Sequence, residues 1–203
     1  MTTVTAVTVC DRLRVDTEAF PLSGEFIRAA AEKNRRNAEQ SVSGLYALLM
    51  LVQRAGLDSN ALEIVREKGG RPIFKGEGMP HFSIAHSYGL AVCALSDCPV
   101  GADTELLRVK PNAVSLAERY FSRGEAEQVG RAKDPSTEFF RVWTRKEALI
   151  KRAGKGVDGR PDSFDTTAES FSEYRASAFG GEYIISVTGE SEFVVTDESV
   201  LAR

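Results

Sequence analysis

The stretch EFFRVWTRKEALIKRAGKG, residues 138–156, combines the pattern of an apolar helix with an unusual set of charges. Trp143, Glu147 and Lys151 recur at intervals of four residues, so on a helix they form one slowly drifting stripe. An acid and an ammonium that continue an aromatic stripe must be paired, bound to a ligand or placed at the solvent end of the helix. Two interpretations stay open for Glu147: a surface ion pair with Lys151, or a carboxylate held for chemistry.

The composition is that of an ordinary globular protein. The 203 residues are 42% hydrophobic and 27% charged, enough to form one domain or two small ones. The net charge of −3 argues against a nucleic-acid partner, and the longest apolar run, residues 45–52, is too short to span a membrane. Cys10, Cys93 and Cys98 lack metal-ligand spacing, and no signal-peptide pattern is seen at the N-terminus, so we expect a reducing cytoplasm.

Helical and strand-like patterns alternate along the chain and predict an α+β fold. The predicted strands lie in residues 3–10, 63–74, 81–87, 90–97, 100–108, 171–180, 182–189 and 192–200. The predicted helices cover 41–55 and 112–120, and two more begin at Ser122 and Asp134. The order of strand, helices and strands occurs twice. We therefore expect two similar subdomains, an N-terminal one over 1–98 and a C-terminal one over 99–203.

The segment VGADTE offers a second pair of acids. Asp103 and Glu105 are two positions apart, so on a strand they point to the same side and repel each other. A hard divalent cation would relieve that repulsion, and Glu147 would supply a third oxygen. A strand that simply ends in solvent is the competing interpretation. His86, in the segment HFSIAHS, is either a structural histidine or a hydrogen-bond donor to a phosphate.

Three segments in fixed order, GRPIF…HFSIAHS, VGADTE and FFRVWTRKEALIKRAGKG, resemble the motifs of the 4′-phosphopantetheinyl transferase family, in its larger surfactin-type branch. That family shows Gly-Lys-Pro with Phe-x-x-Ser-His-Ser, then Gly-Ile-Asp-x-Glu, then Trp-x-x-Lys-Glu-x-x-x-Lys. The resemblance spans residues 70–156. It implies a pseudo-dimer of two similar α/β subdomains, in agreement with the duplicated order of elements.

The resemblance also implies an enzyme that moves the phosphopantetheine arm of coenzyme A onto a serine of a carrier protein and releases 3′,5′-ADP. The carrier is of the acyl, peptidyl or polyketide type, and the metal is Mg²⁺ or Mn²⁺. By position, Asp103, Glu105 and Glu147 correspond to the metal-binding carboxylates. Glu147 is also the candidate base for the carrier serine, and Lys151 corresponds to a lysine on the transferring phosphate. Asp103, Glu147 and Lys151 are thus the expected catalytic residues.

The remaining matches concern coenzyme A. The residues assigned to its binding are Arg71, His86, Lys151, Ser41 and Lys155. Trp143 and Lys146 match the family motif, and we expect mainly structural roles for them. The chain departs from the family where Gln40 replaces an arginine and Ala85 replaces a serine. These departures affect contacts with coenzyme A rather than the metal site.

Partners and alternatives follow from the same resemblance. Basic residues on the second-half helices are candidates for contact with the acidic helix of a carrier, although a solvated face explains them equally well; they are Arg119, Arg123, Arg131 and Lys133. The alternative function is that of an impaired relative that binds coenzyme A or a carrier without transfer. The complete set of acids argues against it. An internal pseudo-dimer needs no second subunit, so we expect a monomer.

Overall fold

The computed structural model describes residues 3–9, 28, 32, 35–67, 70–154, 163–195 and 201–202. The helices in this part of the chain are α1 (Arg35–Arg54), α2 (Ala113–Tyr120), α3 (Arg123–Arg131) and α4 (Pro135–Arg152). The strands are β1 (Thr3–Val9), β2 (Ile64–Arg66), β3 (Pro72–Phe74), β4 (His81–Ser87), β5 (Leu90–Ser96), β6 (Ala102–Leu106), β7 (Phe171–Ala178), β8 (Gly181–Thr188), β9 (Ser191–Val195) and β10 (Leu201–Ala202). The predicted α+β class is confirmed.

The strands form two four-stranded sheets and the short β2–β3 hairpin. The first sheet has the order β4-β5-β1-β9, and the second has the order β10-β7-β8-β6. Strand β9 runs parallel to β1, with Thr3 opposite Ser191, so a strand from the second half completes the sheet of the first. The division at residues 98 and 99, and the pseudo-dimeric relation of the halves, stay predictions.

Strand β5 lies between two cores, and this explains why its sequence is apolar throughout. Cys93 and Leu95 pack with α1 in one hydrophobic cluster. Leu90, Val92 and Ala94 alternate with them and pack against the second sheet. Every residue of β5 is buried, as the sequence predicted. The layers therefore run from α1 through the two sheets to α2, α3 and α4, which pack on the outer face of the second sheet.

Local signals set the predicted helix starts. The Ser122 hydroxyl accepts from the Glu125 backbone N–H, and the Glu125 carboxylate accepts from the Ser122 backbone N–H, which completes the predicted capping box of α3. The Asp134 carboxylate caps α4, with Pro135 in the first turn. Helix α1 begins at Arg35, earlier than the predicted start at residue 41, because the polar residues before that position belong to the same helix.

The structure also describes the environment of two cysteines and the hydropathy of the helices. Cys93 is buried and Cys98 is exposed, both as free thiols, whereas Cys10 lies outside the described residues. Of the helices in the described ranges, none combines the length and the hydropathy that crossing a membrane requires.

Candidate active site

Helix α4 lies directly against the start of β6, and Gly101 makes this approach possible. A Cβ atom on Gly101 would stand 1.8 Å from the carbonyl oxygen of Ala148 and 2.8 Å from the backbone nitrogen of Arg152. Only a residue without a side chain fits there. The close packing brings the acids of β6 beside Glu147 and Lys151, which the sequence places far apart.

Asp103 and Lys151 form an ion pair at this junction. The Lys151 Nζ atom donates to Asp103 Oδ1 over 2.7 Å and to the Ala102 carbonyl oxygen over 3.2 Å. Asp103 is only 8% exposed, and its carboxylate also accepts from the Thr104 backbone N–H. Burial raises the pKa of Asp103, and the charge of Lys151 opposes that shift. The described ion pair of Lys151 is thus with Asp103 and not with Glu147, and a functional role for either residue stays a prediction.

Glu105 is held from the first sheet. The Ser87 hydroxyl at the end of β4 donates to Glu105 Oε2 over 2.9 Å, and Arg108 Nη1 lies 3.8 Å from the same oxygen. Burial raises the pKa of Glu105, the Ser87 hydrogen bond lowers it, and the charge of Asp103 raises it again. Both sheets therefore contribute to the position of this carboxylate.

Glu147 completes the group of acids. Its pKa is raised by burial and then by the charge of Asp103, with a smaller contribution from Glu105, while Lys151 opposes the shift. The charge of Asp103 thus raises the pKa of both glutamates, which places the three carboxylates close to one another. We refer to Asp103, Glu105, Glu147 and Lys151 as the acid–lysine cluster.

The acid–lysine cluster has the donor chemistry of a magnesium site that a substrate completes. In the described part of the chain, no three Asp, Glu, His or Cys side chains converge into a ready-made metal cage. Mg²⁺ does not need such a cage, because it usually takes one or two carboxylates together with phosphates and water. Neighbouring carboxylates of which Asp103 raises the pKa of the other two fit a hard cation of this kind.

The motif residues Trp143 and Lys146 anchor the helix. The Trp143 ring stacks on Phe139 with centroids 6.0 Å apart. Lys146 is fully buried and forms an ion pair of 2.7 Å with Glu125, which is also fully buried. Burial opposes ionisation of Glu125, but hydrogen bonds from Lys146 and Thr166 hold its pKa below the ordinary range. These contacts fix the rotation of α4 and so keep Glu147 toward β6.

The residues assigned to coenzyme A are only partly brought together. Arg71 and Lys151 line one cavity of about 240 Å³, beside Gly154. The Arg71 guanidinium donates to the Arg152 carbonyl oxygen over 3.3 Å. Neither His86 nor Ser41 is among the described lining residues of this cavity. Lys155 lies outside the described residues.

His86 and Ser41 are related through strand β4 and helix α1. His86 is exposed and shares a strand face with Ile84, because the two are two positions apart. Ile84 packs against Gly44 of α1, where a Cβ atom would stand 2.4 Å from an Ile84 methyl group. Ser41 is half-buried and lies one turn before Gly44 on the same helix. The two candidates thus lie on the two elements that meet where Ile84 contacts Gly44.

Sequence reasoning missed two residues of this site. Ser87 stands next to His86 in the sequence, and its role is visible only in the structure. Ser83 and Ser87 lie on one face of β4 and are both buried, a pattern that indicates buried polar contacts once the strand is placed. The second residue is Arg108. Its guanidinium lies 4.9 Å from the ring centroids of both Tyr88 and Phe140, and no local pattern points to that position.

The candidate carrier-contact residues on α2 and α3 form local pairs. Arg123 and Arg131 both bind the Glu127 carboxylate, over 3.1 and 3.2 Å, and both are largely exposed. The Arg119 guanidinium lies 5.2 Å from the ring centroid of Tyr120. A solvated face explains these contacts, and a role in carrier binding stays a prediction.

The chain is similar to known proteins over the region that contains this site. Residues 99–200, half of the chain, match the family model of the 4'-phosphopantetheinyl transferase superfamily. The chain is 30% identical over 134 residues to 4'-phosphopantetheinyl transferase Sfp of Bacillus subtilis (strain 168), which covers 64% of the chain and 59% of the relative. It is 32% identical over 142 residues to 4'-phosphopantetheinyl transferase psf-1 of Bacillus pumilus, which covers 68% of the chain and 60% of the relative.

A third relative, the 4'-phosphopantetheinyl transferase of Bacillus subtilis, is 36% identical over 112 residues, or 54% of the chain and 49% of the relative. The matches thus span about half to three fifths of the length of these curated relatives. The family model covers β6, the helices α2 to α4 and the second sheet, where the acid–lysine cluster lies. The chain therefore belongs to the 4'-phosphopantetheinyl transferase superfamily, in the branch similar to Sfp.

Proposed function

We propose that this chain transfers the 4′-phosphopantetheine group of coenzyme A to a serine of a carrier protein and releases 3′,5′-ADP. The observation that carries the proposal is the acid–lysine cluster, in which two acids of β6 meet an acid and a lysine of α4. Membership of the superfamily and the names of the similar proteins support the same reaction. The free thiols Cys93 and Cys98 fit action in a reducing cytoplasm.

The bonds of the reaction define what the site must do. The serine oxygen of the carrier attacks the phosphorus that bears the pantetheine arm, and the bond from that phosphorus to 3′,5′-ADP breaks. The serine loses its proton, and the leaving phosphate takes the bonding electrons. Such phosphoryl transfers depend mainly on positioning and on neutralisation of negative charge.

Glu147 is the proposed base for the serine proton. A carboxylate beside the metal, directly or through a water molecule, would accept the serine proton. The buried pair of Lys146 and Glu125 keeps the helix, and hence the base, in a fixed orientation.

Asp103, Glu105 and Glu147 are the proposed ligands for Mg²⁺, with Mn²⁺ as a substitute. When bound, the metal would neutralise part of the charge on the pyrophosphate. Lys151 would add a second positive charge beside it. An ammonium has three N–H donors, and the two described bonds of Lys151 use two of them. A third donor is therefore available for a phosphate oxygen placed next to Asp103.

Arg71, His86, Ser41 and Lys155 are proposed to hold coenzyme A. Arg71 supports this best, since it lines the same cavity as Lys151 of the acid–lysine cluster. An arginine binds a phosphate through two parallel N–H bonds, which a lysine in the same place does not. The chain would act as a monomer on an acyl, peptidyl or polyketide carrier.

A labelling assay tests the proposal. The protein is incubated with coenzyme A, Mg²⁺ and a panel of apo carrier proteins, and each intact carrier is weighed by mass spectrometry. We expect at least one carrier to gain the phosphopantetheine group, with equimolar release of 3′,5′-ADP. If no carrier gains mass while coenzyme A still binds with or without Mg²⁺ in calorimetry, the chain is a binding protein and the proposal is wrong.

A further inference from the structure

One edge of β6 has no strand partner among the described residues, and its backbone groups are bound in another way. The backbone groups of odd-numbered residues at both ends of this segment form hydrogen bonds to the β8 side. The Leu107 N–H donates to the Glu182 carbonyl oxygen, and the Gly101 carbonyl oxygen accepts from the Thr188 N–H. The even-numbered N–H groups therefore point the opposite way, toward β4. A buried edge of this kind needs hydrogen-bond acceptors from elsewhere.

Two serines of β4 provide these acceptors. The Ser83 hydroxyl accepts from the Ala102 N–H over 3.0 Å, and the Ser87 hydroxyl accepts from the Leu106 N–H over 3.2 Å. Both serines are buried, with 5% and 7% of their surface exposed. The N–H between them, that of Thr104, donates to the Asp103 carboxylate. The serines thus replace a neighbouring strand and join the two sheets.

The two serines differ in one contact. Ser87 also donates its single hydroxyl proton to Glu105 Oε2 over 2.9 Å. The Ser87 oxygen accepts from the backbone of β6, and the Ser87 proton is donated to the Glu105 carboxylate on the same strand. Ser87 therefore fixes the carboxylate relative to the backbone of β6. The described polar contacts of Glu105, from Ser87 and Arg108, both fall on Oε2, which leaves Oε1 without a described contact.

We propose that Ser87 is a positioning residue that holds Glu105 by one oxygen and presents the other to the metal. This inference rests on the proposed function and extends it to a residue of the first sheet. Residues that bind a metal ligand from behind set its orientation, and their loss typically lowers metal affinity or activity about 10–100-fold. Ser83, which shares the strand face but does not touch a carboxylate, provides a matched control.

Manganese binding tests the inference without relying on transfer. Free Mn²⁺ is measured by electron paramagnetic resonance, with and without coenzyme A, for wild type, Ser87→Ala and Ser83→Ala. The measurement without coenzyme A is the one that compares the two serines, because Ser83 also lines the cavity shared by Arg71 and Lys151. We expect Ser87→Ala to raise the Mn²⁺ dissociation constant about 10-fold, and Ser83→Ala to leave it unchanged. Equal Mn²⁺ affinities in all three proteins, each with a cooperative thermal transition, would overturn the inference.

Two further variants separate positioning from loss of structure. Ser87→Thr keeps the hydroxyl, so its Mn²⁺ affinity should match that of wild type. In a Glu105→Gln background, Ser87→Ala should cause no additional loss, because Ser87 acts through that carboxylate. An additional loss there contradicts the inference.

The proposed function and this inference fail in different ways. A wild type that binds Mn²⁺ but labels no carrier contradicts the transfer and leaves the role of Ser87 intact if the Ala variant binds more weakly. A wild type that labels carriers while the Ala variant binds Mn²⁺ normally contradicts only the inference. A wild type that binds no Mn²⁺ overturns both.

Discussion

At the scale of single residues, the site contains three carboxylates whose charged forms are disfavoured by burial. Asp103 is stabilised by Lys151, but Glu105 and Glu147 lie beside it with raised pKa values. Such an arrangement costs folding free energy at neutral pH, and a cation that binds there offsets that cost. Strained electrostatics of this type are common where a protein binds a charged ligand.

A neutral replacement of Glu147 should therefore stabilise the metal-free protein. A carboxyl group whose pKa is raised by folding adds stability only below its ordinary pKa, and that stability is lost as the pH rises through the raised value. We expect Glu147→Gln to raise Tm at neutral pH by about 2–4 °C, the shift that about 1 kcal/mol produces in a chain of this size.

Differential scanning calorimetry in chelator checks this expectation. The gain should vanish at a pH below the ordinary range of glutamate, where the wild-type carboxyl is protonated in both states. Added Mg²⁺ and coenzyme A should reverse the order, because the wild type holds the metal through the Glu147 carboxylate and is therefore stabilised more than the variant. A variant that melts below wild type at neutral pH in chelator would contradict the raised pKa.

At the scale of elements, the approach of α4 to β6 decides whether the residues of the site meet. Gly101 has no room for a Cβ atom because the backbone of α4 occupies that space. Gly101→Ala must push the helix away from the strand, at a cost of about 1–3 kcal/mol or more. We expect a lower free energy of unfolding in urea and weaker Mn²⁺ binding in the same variant.

Gly124→Ala is the matched control for this prediction. Gly124 lies in α3, and the space that a Cβ atom would take there is open, so alanine should stabilise the helix by up to about 1 kcal/mol. If Gly101→Ala unfolds at the same urea concentration as wild type, the contact between α4 and β6 is looser than the structure indicates.

The elements themselves were largely predictable, since their signals are local. Ser122 and Asp134 mark helix starts through bonds to residues two or three positions away. The apolar run of β5 predicts burial on both faces, which the structure shows. The bond from Ser87 to Glu105 depends on how closely β4 approaches β6, and no periodicity in either strand states that distance. The sequence therefore indicated the candidate site residues but not the contacts that hold them in place.

At the scale of the whole molecule, the two halves are connected by a shared sheet, by hydrogen bonds and by a common core. Strand β9 joins the first sheet beside β1, and the serines of β4 bind the backbone of β6. A strand pairing between residues far apart in the chain has no signal in the local sequence. The repeated order of elements therefore suggested two separable units and did not show the contacts between them. The core between the sheets adds a third connection.

These links predict that the halves unfold together. Trp143 is the single tryptophan and lies in the second half, so its fluorescence follows that half, whereas far-ultraviolet circular dichroism follows both. In urea the two signals should change at the same midpoint, as for a two-state domain. Two separate midpoints would show that the first sheet is stable without the second.

The proposed function depends on the transfer of phosphopantetheine to a carrier protein. The most direct measurement is the intact mass of an apo carrier after incubation with coenzyme A and Mg²⁺, with wild type and Glu147→Gln compared in parallel. The account predicts that wild type converts the carrier fully, and that the variant, still folded and still binding coenzyme A, leaves it unmodified. Conversion at the wild-type rate by Glu147→Gln would contradict the assignment of the acid–lysine cluster as the active site.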